Sequence, residues 1–431
     1  MKEVCIIGLG YIGLPTAAMF ASHGVRVRGV DISQKICDTI NEGKIHIKEP
    51  YLEQIVKQSV LNKMLSADTK VKKCENFIIA VPTPITENKK ADITYVIKAA
   101  ESIYPVLEKN NLVILESTVP PRCTTDILIP ILEKSGLKAG EDFYVAHCPE
   151  RVLPGQIIYE LEHNNRIIGG INEESAVKAR DLYSAFVRGE MCITNTTTAE
   201  LCKLTENTYR DVNIALANEL AIICEKLGTN VWDVVKFVNK HPRVNLHLPG
   251  PGVGGHCLAV DPWFIVDSVP DFAKMIKLSR CINDNMPLYV ADKILSLLPQ
   301  GSKVVILGCT YKADVDDIRE SPIIELAGIL KQKLTVEIVD PLVKQYDKNI
   351  YEAANEADLV VVGVNHKKFK DINLSVLSKV VNKKVILDTR NFLDKKAAEE
   401  NGFTYILLGD GSKTYLDEAL NEVAIVLENA V

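Results

Sequence analysis

The hydrophobic pattern opens with a short, unbroken, β-branched run at residues 4–7, which predicts a strand covered on both faces. It leads into Gly8-Leu9-Gly10-Tyr11-Ile12-Gly13 and then a helical stretch from Leu14 that stops at Gly24. A second strand over residues 25–31 ends on Asp31, completing a βαβ unit. Further apolar runs at 77–81 and 112–115 stop at Val81-Pro82-Thr83-Pro84 and Glu116-Ser117-Thr118-Val119-Pro120-Pro121, where strands turn into loops. These elements predict a parallel α/β domain over residues 1–196.

From residue 197 to 227 the chain reads as one long helix, with threonines available as N-cap and Gly228 as stop signal. A short helix is expected over 231–239. The glycine- and proline-rich stretch from His241 to Cys257 excludes regular structure and has to be held by contacts or by a ligand. Residues 197–298 therefore form a predominantly helical middle segment.

The last third, 299–431, conceals a repeat of the first. Its apolar strands end at Leu307-Gly308, Ile338-Val339-Asp340, Val362-Gly363-Val364 and Leu387-Asp388-Thr389-Arg390. Those of the first domain end at Ile7-Gly8, Val30-Asp31, Ala80-Val81-Pro82 and Leu115-Glu116-Ser117-Thr118, in the same order. The fold class is α/β, with two doubly wound sheets joined by a helical segment.

Composition narrows the partners. A chain of 431 residues with 47% hydrophobic and 25% charged residues builds more than one core, and its net charge of −6 supplies no field for nucleic acid or an anionic membrane. Eleven cysteines without a single CxxC pair fit a reducing, cytoplasmic setting better than a disulfide framework. No metal site is expected, because the adjacent His256 and Cys257 find no second close pair. The apolar residues 4–21 are broken by Gly8, Gly10, Gly13 and Pro15, so a strand, turn and helix account for them better than a signal peptide. No stretch is apolar over the roughly 18 residues a membrane helix needs.

Three constellations carry chemistry. Gly8, Gly10 and Gly13 form GxGxxG between strand and helix, giving a tight turn, close approach of a pyrophosphate and close helix packing. With Asp31 closing the next strand the signal becomes strong, and a carboxylate there favours NAD over NADP, although Arg26 and Arg28 stand close in sequence. On the long helix Lys203, Asn207 and Arg210 share one face, able to serve an alcohol or oxyanion, or simply a solvated surface. Cys257 follows Gly254-Gly255-His256 and precedes Asp261 by four residues. A thiol in such a loop suits a nucleophile, but at an ordinary pKa near ~8.5 it needs local activation. In the second sheet domain the matching turn lacks the later glycines, so a second dinucleotide is not expected; Tyr311, Lys312 and Arg319 there suit a nucleotide diphosphate, or alternatively pair with Asp314, Asp316 and Asp317.

In combination GLGYIGLP, VPTP, ESTVPP, CPERVLPG, ELCKLTENTYRDVNIALANE, GVGGHC and YKADVDDIRESP resemble the UDP-glucose/GDP-mannose dehydrogenase family over essentially the whole chain. The resemblance implies two Rossmann-like domains, the first for NAD and the second for a nucleotide sugar, joined by a long helix that also forms a homodimer or homotetramer. It implies four-electron oxidation of a sugar C6 alcohol to the acid, with Cys257 as nucleophile, Lys203 as acid/base with Asn207 beside it, Asp261 and Thr118 positioning water, and Glu150 as a further carboxylate. Gly8, Gly10, Tyr11, Ile12, Gly13, Asp31, Thr83, Thr118 and Arg319 would bind NAD. Arg151, Val152, Lys203, Asn207, Arg210, His241, Arg243, Gly254, Tyr311, Lys312 and Arg390 would bind substrate, with Arg243 crossing between subunits.

The chain departs from the family's UDP-glucose branch, in which a Pro and a Lys stand where Ala259 and Val260 do here, and a glutamate where Pro154 does. PERVLPG and GHCLAVDPWF resemble instead the branch that oxidises UDP-N-acetylmannosamine. UDP-N-acetylglucosamine and UDP-glucose are the alternative substrates. A two-electron β-hydroxyacid-type dehydrogenase and a non-catalytic NAD sensor are the more distant readings.

Overall fold

The computed structural model describes residues 2–412; the end of the predicted 299–431 segment, residues 413–431, lies outside them. The first sheet has eight strands: β1 (Glu3–Ile7), β2 (Arg26–Val30), β3 (Leu65–Asp68), β4 (Asn76–Ile79), β5 (Leu112–Leu115), β6 (Tyr144–His147), β7 (Arg166–Gly170) and β8 (Met191–Asn195). Their spatial order is β3-β2-β1-β4-β5-β6-β7-β8. The sheet is parallel except at β6–β7, where Ala146 opposes Gly170 and His147 opposes Gly169 in antiparallel register. That reversal corrects the all-parallel expectation. It arises in the connection of residues 148–165, which carries only the short helix Ile157–His163.

The second sheet contains β9 (Lys303–Leu307), β10 (Thr335–Val339), β11 (Leu359–Val362), β12 (Val385–Asp388) and β13 (Thr404–Leu407) in the order β10-β9-β11-β12-β13. All its pairings are parallel. The inferred repeat is visible in the order of neighbours: β2-β1-β4-β5 in one sheet corresponds to β10-β9-β11-β12 in the other. In each sheet the apolar run of the first strand divides between two cores by simple alternation. Val4 and Ile6 join one cluster and Cys5 and Ile7 the other; likewise Val304 and Ile306, against Val305 and Leu307. Both faces are covered, which is why these strands show no polar alternation.

The long helix runs Thr196–Leu227. Its N-terminus is capped by Asn195, whose Oδ1 accepts the Thr198 N–H at 2.8 Å, and not by one of the threonines. It stops at Gly228 with φ 69°, and the Thr229 N–H returns to the Cys224 carbonyl, a Schellman closure that a left-handed glycine permits. By compactness the chain divides into two units with the boundary inside this helix: residues to Glu206 with Asp267–Pro270, and Asn207–Val266 with Asp271 onward. Among the described residues no helix is long and apolar enough to cross a membrane.

Candidate active site

In the first unit the chain leaves β1 at Gly8, whose φ of 92° turns it and whose N–H stays bound to the Val30 carbonyl at 2.8 Å. A Cβ on Gly13 would lie 1.8 Å from the Gly8 carbonyl oxygen, so only glycine lets the helix Gly13–Ser22 start this close to the strand. Gly10 has open space where its Cβ would be, and Tyr11 is half exposed beside Ile12. The Asp31 carboxylate accepts the Leu9 N–H at 3.1 Å and the Ser33 N–H at 2.9 Å while remaining only partly buried. These features fit a dinucleotide: an open backbone turn, a helix start, and an acid with one face free for a ribose diol. Arg28 is committed to Glu3 at 2.8 Å, which removes one of the two cations that stood close to Asp31 in sequence.

Thr83 and Thr118 lie together. The Thr83 hydroxyl donates to the Thr118 carbonyl at 2.6 Å, and the neighbouring Ser117 hydroxyl donates to the Val81 carbonyl at 2.7 Å, joining the loops after β4 and β5. The loop beyond Thr118 is anchored by Glu200, a buried residue in the second turn of the long helix. Its carboxylate accepts the N–H groups of Arg122 and Thr124 and the Thr124 hydroxyl at 2.6–2.8 Å.

After β6 the predicted substrate segment is held from several sides. Glu150 accepts the Arg151 N–H at 2.7 Å and pairs with buried Arg166 at 2.8 Å. The Arg151 guanidinium reaches Glu206 at 2.6 Å and also donates to the Asn165 carbonyl. Val152 packs against the core beneath. Glu49 accepts the N–H groups of Gly155 and Ile157, both at 2.8 Å, and Glu160 accepts that of Leu153 at 2.7 Å. Glu49, Glu116, Arg166 and Glu200 were not recognised in the sequence. Glu116 sits inside ESTVPP and could have been singled out as a carboxylate at a strand end; Glu49, Arg166 and Glu200 carry no local signal.

In the second unit Asn207 donates to Asp261 at 2.6 Å, both side chains being buried, so a helix amide and a loop carboxylate that the sequence named for separate roles are joined by a direct hydrogen bond. Cys257 is partly buried. Its carbonyl accepts the N–H groups of Val260 and Asp261 at 3.0 and 2.8 Å, placing the thiol residue one turn ahead of the helix Asp261–Ser268. Upstream, the Gly250 N–H is held by Asn218 at 2.9 Å, and Asn218 by Asn283 at 2.8 Å. A Cβ on Gly254 would lie 2.1 Å from the Glu320 carbonyl oxygen, so the glycine lets this loop lie flat on the segment after β9. The Gly255 N–H bonds the Arg319 carbonyl there at 3.2 Å.

The remaining predicted residues of this unit occupy two settings. Tyr311 is partly buried and Lys312 exposed. The guanidinium of Arg319 bonds both carboxylate oxygens of Asp317 at 2.6–3.0 Å, the pairing foreseen as the alternative for this cation. Half-buried Arg390 donates through Nε to the Gly363 carbonyl at 3.1 Å, with its own N–H on Asp388. Arg210, His241 and Arg243 are exposed, and His241 Nδ1 accepts the Arg243 N–H at 3.4 Å. Lys203 lies on the long helix, one turn before Asn207, and belongs by compactness to the first unit. No cluster of three metal-ligating side chains occurs among the described residues.

A dinucleotide turn closed by an acid, in a chain that also keeps a loop thiol, defines an NAD-dependent oxidoreductase. Models of the UDP-glucose/GDP-mannose dehydrogenase family match residues 2–187 as its NAD binding domain, 197–285 as its central domain and 305–395 as its UDP binding domain. The chain belongs to that family. It is 46% identical over 429 residues to a UDP-N-acetyl-D-mannosamine dehydrogenase of Methanococcus maripaludis, covering 96% of this chain and 98% of the relative. An NDP-N-acetyl-D-galactosaminuronic acid dehydrogenase of Ralstonia solanacearum is 44% identical over 414 residues, with coverage of 92% and 97%. The solved UDP-D-ManNAc dehydrogenase of Pyrococcus horikoshii superposes with a TM-score of 0.88 at 39% identity, covering 96% of this chain and all of that one.

Proposed function

We propose that this chain oxidises the C6 alcohol of UDP-N-acetyl-D-mannosamine to the carboxylate of UDP-N-acetyl-D-mannosaminuronate, consuming two NAD and one water. The observation that carries the reading is Cys257 one helical turn ahead of an Asp261 held on Asn207. A cysteine one turn ahead of a fixed carboxylate suits capture of an aldehyde and later hydrolysis of an acyl group, which a simple alcohol dehydrogenase does not need. The substrate follows the names of the M. maripaludis and P. horikoshii relatives and the GHCLAVDPWF and PERVLPG motifs.

NAD, when bound over Gly8, Gly10, Tyr11, Ile12, Gly13, Asp31, Thr83, Thr118 and Arg319, supplies the hydride acceptor for both oxidations. The chain's own groups do the rest. Lys203 takes the alcohol proton as the C6 hydride leaves. The Cys257 sulfur adds to the aldehyde carbon, forming a C–S bond and a thiohemiacetal, and loss of the second hydride and of the hydroxyl proton leaves a thioester. Asp261 and Thr118 orient the water whose oxygen replaces sulfur, releasing the acid and restoring the thiol. Asn207 donates to the oxyanion and Glu150 provides a further carboxylate. Arg151, Val152, Arg210, His241, Arg243, Gly254, Tyr311, Lys312 and Arg390 hold the nucleotide sugar.

The functional segments are 1–196, 197–298 and 299–431. Tyr209, Leu216 and Ile223 lie seven residues apart on the long helix and are all exposed, which suits a second copy of the chain as partner in a homodimer or homotetramer. The eleven cysteines, none of them in a disulfide, suit a cytoplasmic enzyme.

The test is NADH formed per sugar consumed, with purified UDP-N-acetylmannosamine, its C2 and C4 epimers and UDP-glucose. Two NADH and fastest turnover of the manno sugar are expected. One NADH would point to a two-electron dehydrogenase, none with any sugar to an NAD sensor, and faster turnover of another sugar would reassign the substrate. Cys257→Ser is expected to lose acid formation by on the order of 10³-fold or more, and near-normal acid production would refute the nucleophile.

A further inference from the structure

A second carboxylate that none of these roles uses shares the partner Arg166 with Glu150. Glu116 follows β5, immediately before Ser117 and Thr118, and its side chain has no solvent exposure. Its Oε1 accepts the Tyr183 hydroxyl at 2.8 Å, and its Oε2 is 3.3 Å from the hydroxyl of Thr16 on the helix Gly13–Ser22. Arg166 on β7 stands between the two acids. One of its terminal nitrogens bonds Glu150 at 2.8 Å, and the other lies 3.7 Å from both Glu116 and the Cys148 sulfur. The guanidinium is 4.6 Å from the centre of the Tyr183 ring, so it cannot leave the cluster without unpacking it.

One buried guanidinium neutralises one carboxylate, and here two compete for it. We propose that Glu116 is a positioning residue for Glu150: its proton decides whether Arg166 serves Glu150 alone or is shared, and so sets how firmly Glu150 is held as an anion at the start of the substrate segment. The inference rests on the role given to Glu150 above. With Glu116 neutral, Arg166 commits to Glu150, and Oε2 next to Thr16 is the oxygen left to carry the proton. With Glu116 ionised, Arg166 is shared between the two carboxylates and its hold on Glu150 loosens.

Burial first, and then repulsion from Glu150, push Glu116 up to about 7, against the pull of Arg166, Tyr183 and Thr16. The switch therefore falls in the working range. Cys148, Tyr183 and Arg166, which face it, stay in one state there. Burial raises the Cys148 thiol to about 11 and the Tyr183 phenol well above its ordinary value, and Arg166 remains charged. His147, buried on the adjoining strand end, is kept neutral by a pKa lowered through burial to about 3.

The experiment compares the wild-type chain with Glu116→Gln, which keeps shape and neutrality, and with Tyr183→Phe, which removes a hydrogen bond that favours the carboxylate. Isotope-edited infrared spectra are expected to show a neutral carboxyl C=O band that titrates near neutral pH in the wild type and is missing from Glu116→Gln. In the pH profile of kcat, Glu116→Gln is expected to lose an inflection near neutrality, the two proteins diverging by about tenfold across it. Tyr183→Phe should move that inflection upward by about half a unit to one unit. A folded Glu116→Gln whose profile superposes on the wild type, or a wild type without the band at pH 6, would overturn the proposal. If the glutamine variant fails to fold, an unmoved inflection in Tyr183→Phe does the same. A wild type that makes no NADH from any UDP-sugar would sink the proposed reaction and leave the infrared titration to decide the Arg166 switch.

Discussion

The two sheets use one device and finish it differently. Asp31 after β2 accepts the N–H of the residue following the turn glycine, Leu9, and that of Ser33. Asp340 after β10 does the same with Cys309, which follows Gly308, and Leu342, at 2.7 and 2.9 Å. Asp31 is left partly exposed beside an open glycine turn. Asp340 is fully buried, and its remaining face is taken by the Nε2 of His366 at 3.0 Å, with Thr310 at 3.2 Å from the same nitrogen. The other imidazole nitrogen accepts the Asp314 N–H at 2.9 Å, so the neutral Nε2–H tautomer satisfies the network. In the second sheet the His366 side chain fills the face of the acid that stays partly exposed in the first. The same backbone framework carries a partly exposed acid in one sheet and a sealed one in the other.

The next strand end repeats the lesson. Glu116, just after β5, and Asp388, the last residue of β12, are both buried at the ends of corresponding strands, and each meets a tyrosine hydroxyl, Tyr183 at 2.8 Å and Tyr405 at 2.7 Å. Asp388 also accepts three backbone N–H groups, from Arg390, Phe392 and Leu393, which suit a carboxylate. Glu116 has none of these and faces another acid instead. One sheet turns its buried acid into a loop anchor, and the other sets it against a second acid across a shared guanidinium.

The largest expected effect would break the comparison at its centre. Asp340→Asn should destabilise the protein by about 3 kcal/mol in urea unfolding, because it removes one partner of a buried hydrogen-bonded pair, while leaving the KM for NAD unchanged. Asp31→Asn should do the reverse, weakening NAD affinity about tenfold with stability within about 1 kcal/mol of wild type. Equal phenotypes would mean that exposure is not what separates the two acids. A subtler contrast is in pH. Glu116 is raised on folding, so its contribution to stability is full below the ordinary glutamate value of 4.5 and is lost as pH rises through about 7. Asp340 is held below the ordinary carboxylate range, against burial, by its bonds from His366, Cys309 and Leu342, so its contribution is present at neutral pH and is lost in acid. Thermal melts of Glu116→Gln should therefore gain on the wild type as pH rises from 5 to 8.5; a gap independent of pH would contradict the assignment. The smallest effect sharpens the likeness. Ser117→Ala and Thr389→Val each remove one hydroxyl bond of 2.7 Å to a strand-end carbonyl, Val81 and Val362, and each should cost about 1 kcal/mol.

Much of this was legible in the chain. The continuous apolar runs disclosed two doubly wound sheets because covered strands leave no other pattern, and the positions of Asp31 and Asp340 at matching strand ends disclosed the repeat. Asn207 and Asp261 were each singled out by motif resemblance, but the hydrogen bond that joins them was not foreseen. The Asn195 cap was missed because threonines and asparagine offer the same local signal, and the antiparallel β6–β7 step because strand direction is not written in hydrophobicity.

Sequence alone determined the recurrence of matching strand ends along the chain, the dinucleotide turn, the loop thiol and the family, because glycine spacing, apolar runs and short motifs are local properties of a chain. Tertiary structure alone decided that Arg166 stands between Glu150 and Glu116, that Glu49 and Glu200 anchor loops about 106 and 76 residues away in sequence, and that His366 closes Asp340. Those pairings depend on which side chains burial forces to share a partner, and that competition exists only once distant segments are packed together.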